Sequence, residues 1–128
     1  VSKQSIKIAK KCIKGLYAIT DSISASGLAD GDYIFAKNYI IKENKSVKIK
    51  KDGTLAGSII TMDQTFKNLL NMNFSIEEAV ELTSYNASKY LNMKNIGKLE
   101  KGSLSNFLVL DNNLNIIDIY LEGNKVNG

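Results

Sequence analysis

The sequence predicts an α/β protein, and three observations carry that expectation. A stretch with helical apolar periodicity, residues 2–14, runs directly into a continuous apolar stretch, residues 16–20. That succession is one helix-to-strand step of a doubly wound sheet or barrel. Two later helical stretches each open on the Ser/Thr-x-x-Glu/Gln pattern of a capping box. Short strand-like runs separated by turn residues fill the region from Tyr33 to Lys51 and the chain after Gly97.

Taken in order, the first helix puts Ile6, Ala9, Cys12 and Ile13 on one face and Lys7, Lys10, Lys11 and Lys14 on the other. Gly15 suits the position just past its end. The run Leu16-Tyr17-Ala18-Ile19-Thr20 is apolar almost throughout, as expected of a strand buried on both faces. It stops at Asp21, and the small segment Ile23-Ser24-Ala25-Ser26-Gly27 follows. In parallel α/β sheets and barrels the C-terminal strand ends face the ligand, which makes Asp21 a candidate catalytic residue. The same residue type also serves as a turn residue or helix cap.

Ala29-Asp30-Gly31-Asp32 reads as a turn. Three short strands follow, around Tyr33-Ile34-Phe35, Tyr39-Ile40-Ile41 and Val47-Lys48-Ile49, with turns at Lys37-Asn38 and Glu43-Asn44-Lys45. They form a hairpin or meander inserted at about residues 30–52, with Lys45, Lys48, Lys50 and Lys51 on its solvated face. In Asp52-Gly53-Thr54-Leu55-Ala56-Gly57-Ser58 two glycines bracket a tight loop, and glycine allows backbone to approach a ligand closely. The loop leads into a helix with Thr61 as N-cap, Gln64 at N3, and an apolar face of Met62, Phe66, Leu69 and Leu70.

Ser75-Ile76-Glu77-Glu78 starts the next helix, with Ile76, Ala79, Val80 and Thr83 facing inward. Glu77 and Glu78 complement the helix dipole there and are not catalytic candidates. Asn86 is expected to cap a short helix running to Leu91. Strands are expected over residues 107–110 and 116–121, with turns at Asp111-Asn112-Asn113 and Glu122-Gly123-Asn124-Lys125.

Composition narrows the chemistry. The 128 residues suit one domain that buries roughly two thirds of its unfolded surface. The net charge of +4 comes from 17 Lys without Arg, spread along the chain, which argues against nucleic-acid binding. The absence of His excludes a Ser-His-Asp triad, a Cys-His pair or a typical zinc site built from this chain alone. Cys12 is the single cysteine; it forms no intrachain disulfide, fits a reducing cytoplasm, and reads as a small buried hydrophobe. No apolar run has the length of a membrane span, and the start lacks a signal-peptide core. Without an initiator Met at Val1, the chain is expected to begin inside a longer one or to have been trimmed.

The order of motifs resembles the N-acetylglucosamine-6-phosphate deacetylases, members of the metal-dependent amidohydrolase superfamily. The carrying residues are Ile19-Thr20-Asp21 with the small loop to Gly27, Asp30-Gly31-Asp32-Tyr33, and Gly53-Thr54-Leu55-Ala56-Gly57-Ser58 with Thr61-Met62-Asp63. The tail adds Gly97-Lys98-Leu99-Glu100-Lys101-Gly102, Asn106 to Asp111, and Glu122-Gly123. The tail is shared across amidohydrolases; the Gly-Thr-Leu-Ala-Gly-Ser block together with the Thr20-Asp21 strand end is much more specific to the deacetylases. Two departures, Ala87 where the family often has Pro and Asn106 where many members have Asp, fall at structural positions.

The resemblance implies the C-terminal part of a (β/α)8 barrel over residues 1–92 and strands of a small β-sandwich domain over residues 93–128. It implies hydrolysis of the acetamide of N-acetylglucosamine 6-phosphate, with a divalent metal of the zinc or iron class polarising the carbonyl and activating water. Asp21 matches the general base, and it could also touch the metal. The backbone of Leu55, Ala56 and Gly57 matches a segment that contacts the sugar phosphate. Most metal ligands would precede Val1, so this chain alone is expected to be inactive, and the full-length protein is expected to be a cytoplasmic homodimer. Two other readings stay open: a dihydroorotase-like or deaminase-like amidohydrolase, and a non-catalytic module or remnant of a truncated gene.

Overall fold

Residues 1–126 are described by the computed structural model. They form two units, Ile19–Asn68 on one hand and Val1–Ala18 together with the chain from Leu69 onward on the other.

The unit Ile19–Asn68 is built on an antiparallel meander of β1 (Gly31–Phe35), β2 (Asn38–Glu43) and β3 (Ser46–Ile49), in the order β1-β2-β3. Both connections are two-residue turns, since Phe35 pairs with Asn38 and Glu43 with Ser46. Ala36 and Lys37 have φ of 46° and 67°, and Asn44 and Lys45 have 47° and 65°, the left-handed pair that a tight hairpin requires. The first turn is therefore Ala36-Lys37, one residue earlier than the Lys37-Asn38 expected. Asn44 is a residue that tolerates this geometry, whereas Ala36 and Lys37 carry no such signal.

Alternation along β2 turns Ile40 inward, where it is fully buried beside Val47 and Ala25. Ile23, Tyr33, Phe35, Ile49, Ala56 and Ile59 pack around these three. Lys42 is also buried, with its Nζ donating to the Leu28 carbonyl. Lys45, Lys48, Lys50 and Lys51 are exposed, and Lys50 pairs with Asp32 at 2.6 Å. Helix α2 (Met62–Asn71) continues the chain, with Leu69 buried and Met62 exposed. Gln64 turns its amide nitrogen along the helix to Asn68 Oδ1 at 3.0 Å rather than back toward Thr61.

In the other unit, α1 (Lys3–Cys12) is capped by Ser2, whose Oγ accepts from Ser5 N at 3.2 Å. No residue of α1 is buried, and Cys12, expected inside, is exposed at the helix end. The second capping box forms as expected: Ser75 Oγ accepts from Glu78 N, and Glu78 accepts from Ser75 N. Helix α3 (Ile76–Val80) then passes without a break through a π-helical turn, Glu81–Tyr85, into α4 (Asn86–Tyr90). Asn86 is thus mid-helix rather than a cap, and its Nδ2 donates to the Leu16 carbonyl at 2.8 Å. The buried stripe runs through Ala79 and Leu82, while Ile76 and Val80 are exposed. The apolar side of this helix is wide, running from Leu82 and Ala79 round to Ile76 and Val80, so apolarity alone does not select which part of it turns inward.

The C-terminal sheet is a second meander, β4 (Phe107–Leu110), β5 (Ile116–Leu121) and β6 (Asn124–Val126). Phe107 stacks on its cross-strand partner Tyr120 with ring centroids 4.6 Å apart. Between β4 and β5 the left-handed residue is Leu114 (φ 64°), not Asn112 or Asn113. Asp111 Oδ1 organises that loop by accepting from Asn113 N and Asn115 N, both at 2.8 Å. Asn106 Oδ1 accepts from Glu122 N at 2.7 Å and anchors the β5–β6 turn, an acceptor role that an Asp oxygen would fill equally.

Candidate functional site

The site is built on the segment leading to Asp21. Residues 16–20 belong to no helix or ladder; Leu16, Tyr17 and Ala18 are half-buried and Ile19 is 71% exposed. The two-sided burial expected of this run is therefore absent among the described residues. Ala18 N donates to Leu82 O at 2.7 Å, and the first sheet-like pairing comes just past Asp21, as a single parallel bridge between Ser22 and Ser58. A parallel strand obtains its partners from distant sequence, so an apolar run alone does not tell which partner will flank it.

Asp21 is exposed and has φ of 52°, in the left-handed region that L-residues seldom occupy. Its carbonyl accepts from Ser58 N at 3.0 Å, and Ile23 N donates to Ser58 O at 2.9 Å. Gly57, with φ of 103°, lies against it: a Cβ on Gly57 would stand 3.3 Å from Asp21 O, 3.8 Å from Asp21 Oδ2 and 2.8 Å from Ile23 Cγ2. The requirement for glycine at this position is therefore steric as well as torsional.

The residues before Gly57 extend the β1-β2-β3 meander by a short edge. Lys48 bridges Leu55 antiparallel, Ile49 N donates to Thr54 O at 2.8 Å, and Ala56 N donates to Val47 O at 3.1 Å. Ala56 thereby packs on the Ala25, Ile40 and Val47 core, while Leu55 stands 67% exposed. The Asp52 side chain sets up the preceding turn by accepting from Thr54 N at 2.9 Å, and that bond holds its carboxyl below the ordinary carboxylate range. Of the three predicted ledge residues, Gly57 lies against Asp21, while Leu55 and Ala56 continue the edge away from it along β3. What sequence reasoning missed is the set of hydroxyls that fasten them. Ser22 Oγ donates to Ile60 O, Ser26 Oγ donates to Ile59 O at 3.0 Å, and Ser58 Oγ accepts from Ile60 N at 3.1 Å. The available signal was the recurrence of Ser at Ser22, Ser24, Ser26 and Ser58 on both sides of the contact.

A metal would not be held by these residues alone. The chain has no His, and among the described residues no three Asp, Glu or Cys side chains converge. Asp21 offers a single carboxylate, short of the three protein ligands of a typical catalytic site. In the other unit, a shallow depression of about 340 Å³ is lined by Leu99, Glu100, Lys101, Ser103, Leu104 and Ser105, none of them a predicted site residue.

The N-acetylglucosamine-6-phosphate deacetylase of Lysinibacillus sphaericus is 35% identical over 101 residues, covering 78% of this chain and 26% of its own. That of Bos taurus is 30% identical over 115 residues, covering 88% and 28%. Among solved structures, the N-acetylglucosamine-6-phosphate deacetylase from Thermotoga maritima superposes with a TM-score of 0.87 at 30% identity, over 98% of this chain and 35% of its own. The enzyme of the same name from Pasteurella multocida shares the fold, with a TM-score of 0.89 at 22% identity, over 100% and 34%. The chain thus spans between a quarter and about a third of the length of these relatives. The amidohydrolase family profile matches residues 4–126, a span that contains Asp21, the Gly57 ledge and the C-terminal meander alike, and the chain belongs to that family.

Proposed function

We propose that the natural protein carrying this chain hydrolyses the acetamide of N-acetylglucosamine 6-phosphate to acetate and glucosamine 6-phosphate, with Asp21 as its proton-transfer residue. One observation carries the reading: the exposed Asp21 carboxylate borders the Gly57 backbone at the end of the Gly-Thr-Leu-Ala-Gly-Ser block. The names of the relatives supply the reaction class. Asp21 takes the proton of the attacking water as its oxygen bonds to the acetyl carbon. It then gives that proton to the sugar nitrogen as the carbon–nitrogen bond breaks. Leu55, Ala56 and Gly57 border the substrate through their backbone, and the exposed Leu55 offers it an apolar edge.

A divalent metal is expected from the family, but this chain's donors do not complete a site, so the other ligands lie in the rest of the full-length protein. In that protein residues 1–92 belong to the barrel and the chain from residue 93 to the small β-domain, residues 127 and 128 of that expectation lying outside the described residues, and the assembly is a cytoplasmic homodimer. The 128 residues alone are inactive.

The test is acetate release from N-acetylglucosamine 6-phosphate by the natural protein supplied with divalent metal. Asp21→Asn should lower kcat by about 10²- to 10⁴-fold. Asn tolerates the left-handed backbone of residue 21, so this change removes the base and leaves the conformation. Near-normal turnover by Asp21→Asn would remove Asp21 from the mechanism. Turnover of other amides but not of this one would overturn the substrate assignment.

A further inference from the structure

We propose that Gly57 and Ser22 are positioning residues that act on the reaction through Asp21, by holding its backbone in the left-handed conformation that aims the carboxylate. The inference rests on the deacetylase reading and goes beyond Gly57 as a backbone contact to substrate. Left-handed backbone costs an L-residue about 1–2 kcal/mol, less for Asp than for most, so contacts around residue 21 weigh on whether it keeps its φ of 52°. Here the surroundings are a clasp. The bonds Ser58 N to Asp21 O and Ile23 N to Ser58 O enclose Asp21 from one side. Both need the backbone of residues 57 and 58 to lie flat on residues 21–23, which the absent side chain of Gly57 permits.

Beyond Ser58 the clasp is extended by hydroxyls. Ser22, the residue directly after Asp21, donates its Oγ to the Ile60 carbonyl, and Ser26 does the same to Ile59. A methyl on Gly57 would meet Ile23 Cγ2 at 2.8 Å and adopt a strained φ of 103°. The ledge would lift, both backbone bonds would lengthen, and Asp21 would relax to negative φ, turning its carboxylate away from the ledge. If Gly57 only touched substrate, the same change would instead weaken binding.

The experiment measures kcat and KM on N-acetylglucosamine 6-phosphate for the natural protein and its Gly57→Ala, Ser22→Ala and Asp21→Asn variants, with φ at residue 21 read from a crystal structure of each. Gly57→Ala should move residue 21 out of positive φ and cut kcat by about 10- to 100-fold, with KM changed by less than about threefold. Ser22→Ala, which adds no atoms, should shift both in the same direction by less. A Gly57→Ala protein that keeps both positive φ at residue 21 and kcat overturns the proposal, as does one in which KM alone rises. Should Gly57→Ala fail to fold, Ser22→Ala decides, and unchanged φ and kcat there overturn it. Failure of the deacetylase reading is seen separately, as full activity in Asp21→Asn or none in the unaltered protein. The φ of residue 21 then decides whether the clasp holds it.

Discussion

Lys10 Nζ lies 2.5 Å from Glu78 Oε1, while the other oxygen of the same carboxylate accepts from Ser75 N at 2.9 Å. One side chain thus closes a helix N-terminus and ties α1 to it. The Lys10 hydrogen bond, with the Ser75 backbone behind it, holds the Glu78 carboxyl below its ordinary range. A carboxyl depressed in the folded state contributes stability above its unfolded pKa of about 4.3 and loses it as pH falls through the folded value. Glu78→Gln should therefore lower the melting temperature at pH 7, and the gap to the unaltered chain should close as pH falls below that range. Thermal melts at pH 7, 5 and 3 check this; a gap independent of pH would show that the charge is not what matters.

Ser75→Ala removes the other half of the capping box. The Glu78 N–H loses its acceptor, and the expected cost is about 1 kcal/mol. Urea unfolding followed by far-ultraviolet circular dichroism measures it. This capping box was legible in the sequence because Ser75 and Glu78 are local to one another and the motif has one geometry. Thr61 and Gln64 carry the same spacing, yet Gln64 found Asn68 one turn on. An amide has more than one nearby choice.

Asn86→Ala should cost about 1–3 kcal/mol, because the Leu16 carbonyl loses its side-chain donor in a half-buried position. Urea unfolding reads this too, with Asn86→Gln expected to recover little, since the longer side chain must fold back on itself. Here sequence and structure part for a physical reason. Asn86 has the composition of a cap, but a cap is needed only where a helix begins, and the π-helical turn Glu81–Tyr85 lets the preceding helix run on. Nothing in Glu81-Leu82-Thr83-Ser84-Tyr85 announces that turn. The same limit applies to Asp21. Its type and its place after an apolar run were legible, and its left-handed backbone was not, because Ser58, whose N–H meets the Asp21 carbonyl, lies more than thirty residues away.

The Ala36-Lys37 turn should be improvable. Both residues sit at positive φ without the Asn or Gly that tolerates it. Changing the pair to Asn-Gly should relieve strain of roughly 1–2 kcal/mol per residue, partly offset by the greater unfolded-state freedom of Gly. A net gain of about 1 kcal/mol in urea unfolding is expected. No gain would mean that neighbouring contacts, rather than the turn residues, set this hairpin.

Gly97 and Gly102 separate steric from torsional demand. Both hold left-handed φ, 82° and 92°, so an alanine at either is strained by its backbone. A Cβ on Gly102 would meet nothing within 4 Å. A Cβ on Gly97 would collide with the Ser88 hydroxyl and come within 3.0 Å of Ser88 Cβ and 3.3 Å of Tyr85 Cα. Ser88 cannot swing aside freely, since it is buried and its Oγ donates to Tyr85 O at 2.7 Å. The torsional cost is common to the two variants and cancels in their difference. What remains is the overpacking at Gly97, expected to make Gly97→Ala less stable than Gly102→Ala by about 1–3 kcal/mol. Urea midpoints of the two variants, compared at equal slope, measure that difference. Equal midpoints would mean that the segment carrying Gly97 moves away from α4 at little cost, and that glycine is required there for its backbone alone.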